Sequence, residues 1–329
     1  MPAISGPPPT AGERRPTGRA LVAGAAGFLG REIVQAFSRQ GWEVRGLIRD
    51  PSKADRVRSA GGVPVVGDVL DRATLQRHSE GCRVLIHLAA NPTMDPDLPE
   101  LEREVRVQGT VNLVAAARAS GARRLVVGSG YWVYADQPGP ITEVSAVDPQ
   151  GESRINFDTE RAGLEANAPS HLEVVVVRPG MVYGDGAWFR PVLEAVRART
   201  YRVIDGGRNA WSFVSLPDTA VGFYTVALDG RPGEIYNIVD GNPRPWIDFV
   251  SYVAARVGAH RPESESFSEA VAKYGPTVAT HLRANRAASV AKLTALGWRP
   301  EYPRFEEGID ALLAQMGLGA AAPRPPPTG

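Results

Sequence analysis

Residues 19–41 read RALVAGAAGFLGREIVQAFSRQG, and the reading of this stretch decides the fold. "RALVAG" is an apolar run of strand length. Beyond it Leu29, Ile33 and Phe37 recur on one helical face, and Gly41 stops the pattern. Gly24, Gly27 and Gly30 stand between strand and helix. Glycine there permits a tight turn, lets backbone N–H groups approach a diphosphate, and aims a helix N-terminus at negative charge. The expected object is a dinucleotide cradle on the opening βα turn.

Working outward, "WEVRGLIR", "VPVVGDV", "RVLIHLAA", "RRLVVGS" and "LEVVVVRPG" are five further strands. The unbroken valine run of the last suits a strand covered on both faces. Helical stretches separate these strands, the longest being "LEREVRVQGTVNLVAAARASG" at 101–121. Alternation of this kind predicts α/β architecture: a Rossmann-type, doubly wound parallel sheet. The expected organisation is a sheet domain over 18–184, also completed by later segments, and a smaller C-terminal α/β substrate lobe over 185–317. In the lobe, helices are expected near 187–198, 217–228, 246–258 and 305–316. Residues 1–17 and 318–329, rich in Pro, Gly and Ala, are expected to be disordered tails.

Composition narrows the function. In 329 residues, 37 Lys+Arg nearly balance 36 Asp+Glu, so no global field argues for nucleic acid or a membrane surface. No apolar run approaches the roughly 18–20 residues that spanning a bilayer needs. The first residues lack the apolar core of a secretory signal. Cys82 is the only cysteine, which excludes an intramolecular disulfide and a CxxC site, and a reducing, cytoplasmic compartment is expected. The five histidines have no ligand spacing, so no metal is expected. "GSG" at 128–130 lacks the full nucleophile elbow of a hydrolase.

The end of the second strand bears on the cofactor. A carboxylate there suits the ribose of NAD, and an arginine suits the 2′-phosphate of NADP. The sequence supplies Arg49, with Lys53 close behind, which favours NADP; the neighbouring Asp50 leaves NAD open.

Taken in order, "AGAAGFLGREIV", "VVGDVLD", "VLIHLAA", "VQGTVNLVAAARASGARRLVV", "GSGYWVYAD", "VVVVRPGMVYGDG", "FVSLPDTAVGF", "IYNIVDG" and "LTALGWRPEYPRFEEGI" resemble the extended short-chain dehydrogenase/reductases, the NAD-dependent epimerase/dehydratase family. The resemblance covers nearly all of residues 19–316. "VRGLIRDP" looks most like the NADP-using dihydroflavonol and cinnamoyl reductase branch. By resemblance, Gly24, Gly27, Phe28, Leu29 and Gly30 would cradle the diphosphate. Asp68 and Val69 would flank the adenine. Leu88, Ala89 and Ala90 would line the cofactor, and Pro179 and Gly180 would lie near the nicotinamide. The resemblance also implies a small-molecule substrate and leaves a homodimer open.

The catalytic set departs from the family, whose members carry a Ser or Thr at the end of the fifth strand and a Tyr-x-x-x-Lys helix. Alignment on Val133–Tyr134 puts Gly130 at the serine position, with Ser129 one place early. In "INFDTERAGLEA" (155–166), Glu165 matches the acid that follows the lysine by four. Phe157 then stands for the tyrosine and Arg161 for the lysine; a one-residue shift gives Asn156 and Glu160. Phenylalanine has no proton to give, and arginine keeps its own. The candidate catalytic residues become Ser129 as hydrogen-bond donor, Tyr131 as displaced proton donor and Arg161 as the group on the ribose. The leading reading is an NAD(P)-dependent oxidoreductase or epimerase-like enzyme acting on a small carbonyl or sugar-like substrate. A non-redox isomerase, dehydratase or cyclase and an inactive NADP(H)-binding protein are the alternatives.

Overall fold

A computed structural model describes residues 17–90 and 99–318. Apart from Thr17 and Leu318, the expected tails lie outside the described residues. The first six strands are β1 (Arg19–Ala23), β2 (Glu43–Ile48), β3 (Val63–Val66), β4 (Val84–His87), β5 (Arg124–Gly128) and β6 (Glu173–Pro179). They pair in parallel with Ile235–Ile238 as seventh member, in the order β3-β2-β1-β4-β5-β6-(235–238). The seventh strand comes from the far half of the sequence, so "EIYNIV" completes the main sheet edge.

Period-two burial builds the two layers. Val22, Ile86, Val126, Val175 and Val177 face one side, where they meet Ile33, Val34 and Phe37 of α1 (Phe28–Arg39) and Phe223 of helix Leu216–Asp229. Leu21, Leu85, Leu125, Val174 and Val176 face the other, against Leu75, Leu113 and Leu164 of three further helices. Each large side chain so buried contributes roughly 1.5–3 kcal/mol, which is why strands with no polar alternation are stable here. α1 ends as expected, with Gly41 at φ +81°.

The long helix of the sequence reading is broken. Pro99–Arg103 is α-helical, Glu104–Gln108 forms a π-helical turn, and Gly109–Ser120 resumes the α-helix. The turn lies where Arg106 interrupts the pattern. Its carbonyl accepts from His87 Nε2 at 3.1 Å and from Thr110 Oγ1 at 2.7 Å, while its guanidinium reaches the Gly128 carbonyl at 3.5 Å.

A second body of packing lies beyond Tyr183. Phe189, Trp211, Phe213, Trp246, Phe249 and Phe305 stack into one aromatic core that joins helices Phe189–Arg197, Trp246–Arg256 and Phe305–Gln315. Asp218 ties the chain's last third to the sheet domain: its carboxylate accepts from Ser215 Oγ and from the N–H groups of Glu301 and Tyr302.

Candidate cofactor and substrate site

The strand order reverses between β1 and β4, and in open α/β sheets ligands lie outside the carboxyl ends of the strands at such a point. The opening turn is built for close approach. Gly24 has φ +86°, and a Cβ there would sit 2.7 Å from the Leu88 carbonyl at the end of β4. A Cβ on Gly30 would sit 2.1 Å from the Gly24 carbonyl oxygen. Gly27 differs: its φ is −74°, its N–H bonds Gly24 O at 3.0 Å, and it starts α1 with no side chain capping the first turn. The first turn carries no acidic residue. N–H groups without partners at a helix N-terminus, beside a backbone cleared of side chains, fit a diphosphate. The Phe28 ring packs on Gly184 and Gly186, in the loop after strand Met181–Tyr183.

At the end of β2, Arg49 is exposed and has no ion pair among the described residues. Asp50 is engaged otherwise. Its side chain accepts from Ser52 N at 2.9 Å and caps the short helical turn Pro51–Lys53, and these bonds hold its carboxyl below the usual range. Lys53 stands 4.0 Å from Asp50. Asp68 accepts from Leu70 N at 2.9 Å, Val69 is buried, and Leu88 and Ala89 are half-buried with Ala90 exposed at the end of β4. Pro179 and Gly180 are buried, and a Cβ on Gly180 would meet Ser212 O at 2.5 Å. That glycine is required by a chain crossing.

The end of β5 holds a polar cluster the sequence did not reveal. Ser129 Oγ donates to the Glu160 carboxylate, and Glu160 also receives Arg178 Nε at 2.8 Å and Nη2 at 2.6 Å. Both charged side chains are 3% exposed or less. The Arg178 guanidinium lies 4.6 Å from the centre of the Tyr134 ring, and Tyr134 Oη donates to Asn237 Oδ1. The signal was present in outline: an arginine ending a valine strand needs a buried acid. Helix phase alone did not say which acid.

Arg161 is separated from this cluster. It is 58% exposed and pairs with Glu165 at 2.9 Å on the outer face of helix Glu152–Leu164. The register expected from Glu165 is therefore corrected: the helix's buried acid is Glu160. Counting back by four and eight places Asn156 and Glu152 at the lysine and tyrosine positions of the family motif. Asn156 agrees with this, because its Nδ2 lies 3.7 Å from where a Gly130 side chain would begin. Its Oδ1 is buried without a partner.

Tyr131 is fully buried, edge-on to Trp132, with its hydroxyl unpartnered; burial pushes that hydroxyl far above its ordinary value, so it stays protonated. A cleft of about 260 Å³ is lined by Tyr134, Asp148, Thr280, His281 and Arg286 among others. His281 approaches Ser153, near the start of the same helix, at 3.4 Å. Burial and the Arg286 charge hold His281 below its ordinary value. His87, within β4, is 2% exposed and pulled down to about 4 by burial, so it is a neutral interior histidine. Among the described residues no group of three His, Cys, Asp or Glu is placed to hold a metal, and no helix is long and apolar enough to cross a membrane.

These features define a class: an α/β enzyme whose strand ends are shaped for a dinucleotide, with a cleft lined by residues from 134–150 and 276–286. The profile of the NAD dependent epimerase/dehydratase family matches residues 20–239, and the chain belongs to that family, the extended short-chain dehydrogenase/reductases. It is an NAD(P)-dependent oxidoreductase or epimerase-type enzyme. It is 33% identical, over 88% of its own length and 99% of the other's, to a 3-diazoavenalumate denitrifying reductase of Streptomyces sp.. A 4-hydroxy-2-methyl-3-oxo-4-farnesyl-3,4-dihydroquinoline-1-oxide ketoreductase of Stigmatella aurantiaca is 32% identical over 75% of this chain and 80% of the relative. Among solved structures, the fold is shared with a double mutant of the dTDP-glucose 4,6-dehydratase DesIV from Streptomyces venezuelae, holding NAD. The TM-score is 0.76 at 22% identity, over 90% of this chain and 96% of that one. The human epimerase family protein SDR39U1 with NADPH also superposes, with TM-score 0.76 at 19% identity over 90% and 99% of the two chains.

Proposed function

We propose that the chain is an NADPH-dependent reductase of a small, flat substrate that works without the family's tyrosine–lysine pair. The observation that carries the cofactor choice is Arg49, exposed and unpaired at the end of β2 while Asp50 is spent on its own turn. A planar guanidinium suits a 2′-phosphate, whereas a carboxylate already capping a turn is poorly placed for a ribose hydroxyl. Gly24, Gly27, Phe28, Leu29 and Gly30 would hold the diphosphate, with Lys53 beside Arg49. Asp68 and Val69 would lie at the adenine, and Leu88, Ala89, Ala90, Pro179 and Gly180 along the rest of the cofactor. The bound cofactor supplies hydride. The sheet domain over 18–184 orients it, and the lobe over 185–317 closes the substrate cleft. A homodimer and a cytoplasmic site of action belong to the same proposal.

The protein's own groups divide the remaining work. Ser129 is committed to Glu160, so its part is to hold the end of β5 in place. Tyr131 carries a protonated hydroxyl with no acceptor; fully buried beside Trp132, it is the proton donor to a substrate oxygen once ligand binding uncovers it. Asn156 presents its amide at the position left vacant by Gly130 and hydrogen-bonds the same oxygen. Arg161, facing solvent beside Glu165, takes no part.

A second reading is favoured by the missing tyrosine. Reductive loss of nitrogen from a diazonium aromatic, the kind of reaction in the Streptomyces relative's name, needs no proton at the reacting carbon. Hydride brings the electron pair of the new C–H bond, and the C–N pair leaves with dinitrogen.

The test is absorbance at the reduced-nicotinamide band across a screen of ketones, enones and diazo aromatics. Wild type should consume NADPH with at least one. Replacing Arg49 with Ala should weaken NADPH binding by roughly ten- to a hundredfold, the worth of a charge-assisted hydrogen bond, and leave NADH within about threefold. Equal losses for both would remove the NADP assignment. Tyr131→Phe should abolish turnover of ketones and spare dinitrogen release, which separates the two readings.

A further inference from the structure

Arg286 is the least explained charge in the protein. It is 3% exposed, yet no carboxylate lies within ion-pair distance among the described residues. Its Nη1 donates to Asn285 O at 3.2 Å, and its Nε is buried without an acceptor. The guanidinium lies 5.6 Å from the centre of the Trp132 ring, which offsets only part of the cost of burying a charge. An isolated buried cation is expensive, several kcal/mol after relaxation, and a fold tolerates one where a partner arrives from outside.

The surroundings are built for that. Arg286 N donates to Ala210 O at 2.7 Å, Ile141 N to Ala287 O at 2.7 Å, and Ser212 Oγ accepts from Ala288 N at 2.8 Å, so the backbone is pinned from both sides. The side chain lines the cleft at the end of β5, where the Tyr131 hydroxyl feels its charge. The other charges facing it are accounted for. Asp136 accepts from Asn285 N at 2.9 Å, Asp148 from Gln150 Nε2 at 2.9 Å, and both are exposed at the rim. His281 is neutral. The rings of Tyr134 and His281 line the cleft with this one buried cation, a combination that selects a flat ligand bearing an anion.

We propose that Arg286 is a specificity-determining residue that binds a carboxylate on a planar, aromatic or conjugated substrate. Where Arg286 lines the cleft, its planar guanidinium offers charge-assisted N–H donors that match a carboxylate. The ring then lies in the cleft beside Tyr134 and His281. This rests on the reductase reading given above, and adds to it the class of substrate.

Calorimetry with NADPH-saturated protein tests it, using 4-hydroxycinnamate, its neutral amide and phenyl phosphate as probes. Wild type should bind the carboxylate at least tenfold more tightly than the amide. Arg286→Gln should lose that preference, and Arg286→Lys should keep part of it. NADPH affinity, measured separately by fluorescence, should be unchanged in both variants, which also reports that they fold. Retention of the carboxylate preference in Arg286→Gln would overturn the proposal, as would tighter binding of phenyl phosphate than of the carboxylate. Absence of NADPH binding by wild type would instead refute the reductase reading, since carboxylate binding to the protein alone can still be measured.

Discussion

Replacing Glu160 with Gln removes one charge and almost no volume from the most deeply buried ion pair. In the wild-type protein Arg178 makes two bonds to this carboxylate, at 2.8 and 2.6 Å, and Ser129 makes a third. The amide can still accept from Ser129 and from one guanidinium nitrogen, so the loss is mainly electrostatic. It leaves Arg178, 3% exposed, with only the Tyr134 ring as compensation. Breaking a buried pair from one side costs about 3–5 kcal/mol, because the surviving charge has no solvent to return to. At roughly 2 °C per kcal/mol for a chain of this size, the melting temperature should fall by about 6–10 °C. Removing both partners, as Glu160→Leu with Arg178→Met, should recover most of that loss, since no uncompensated charge remains. Thermal and urea melts of wild type, Glu160→Leu, Arg178→Met and the double variant complete the cycle, with Glu160→Gln measured beside it. A double variant no more stable than Glu160→Gln, or a single variant within about 1 kcal/mol of wild type, would refute the reasoning.

Three further outcomes are expected. Gly24→Ala forces a side chain into a backbone at φ +86° and within 2.7 Å of the Leu88 carbonyl, so it should lower stability by about 1–3 kcal/mol in urea melts. Gly27→Ala, at φ −74° with Gly24 O 3.1 Å away, should hold stability within about 1 kcal/mol and still lower NADPH affinity at least tenfold by calorimetry; undiminished affinity would remove the cradle. Asp240 is 6% exposed, has a buried oxygen without a partner, and is pushed up from 3.8 to about 8 by burial. The folded state therefore binds this proton more tightly than the unfolded chain, and stability falls as pH rises from about 4 to about 8. Melts of Asp240→Asn against pH should lose that portion of the slope and gain on wild type toward pH 8; parallel curves would show that Asp240 does not titrate in this way.

Much of the candidate site could be located from residue order because its chemistry is local. The glycine turn works through three residues within seven positions, and both the φ of Gly24 and the crowding at Gly30 follow from a strand turning directly into a helix. Arg49 could be placed because β2 runs straight to it. Helix Glu152–Leu164 resisted. Asn156, Phe157, Glu160 and Arg161 lie within two turns, and a one-residue change of register exchanges the buried face for the solvent face. Sequence spacing matched Glu165 to the family acid, whereas the acid that is buried is the one opposite Arg178, a residue 18 positions away on a different element.

The sequence by itself determined the parallel doubly wound sheet, the glycine-rich turn after its first strand and the absence of a tyrosine–lysine pair, because each is carried by periodicity or by the chemistry of neighbouring residues. Tertiary structure alone decided that Glu160 and not Arg161 meets Ser129, that the segment 235–238 completes the sheet, and that Arg286 stands unpaired in a cleft with residues from 134 to 150. Those relations depend on contacts between segments up to about 150 residues apart. Burial, which sets the worth of every charge involved, exists only once such segments have packed.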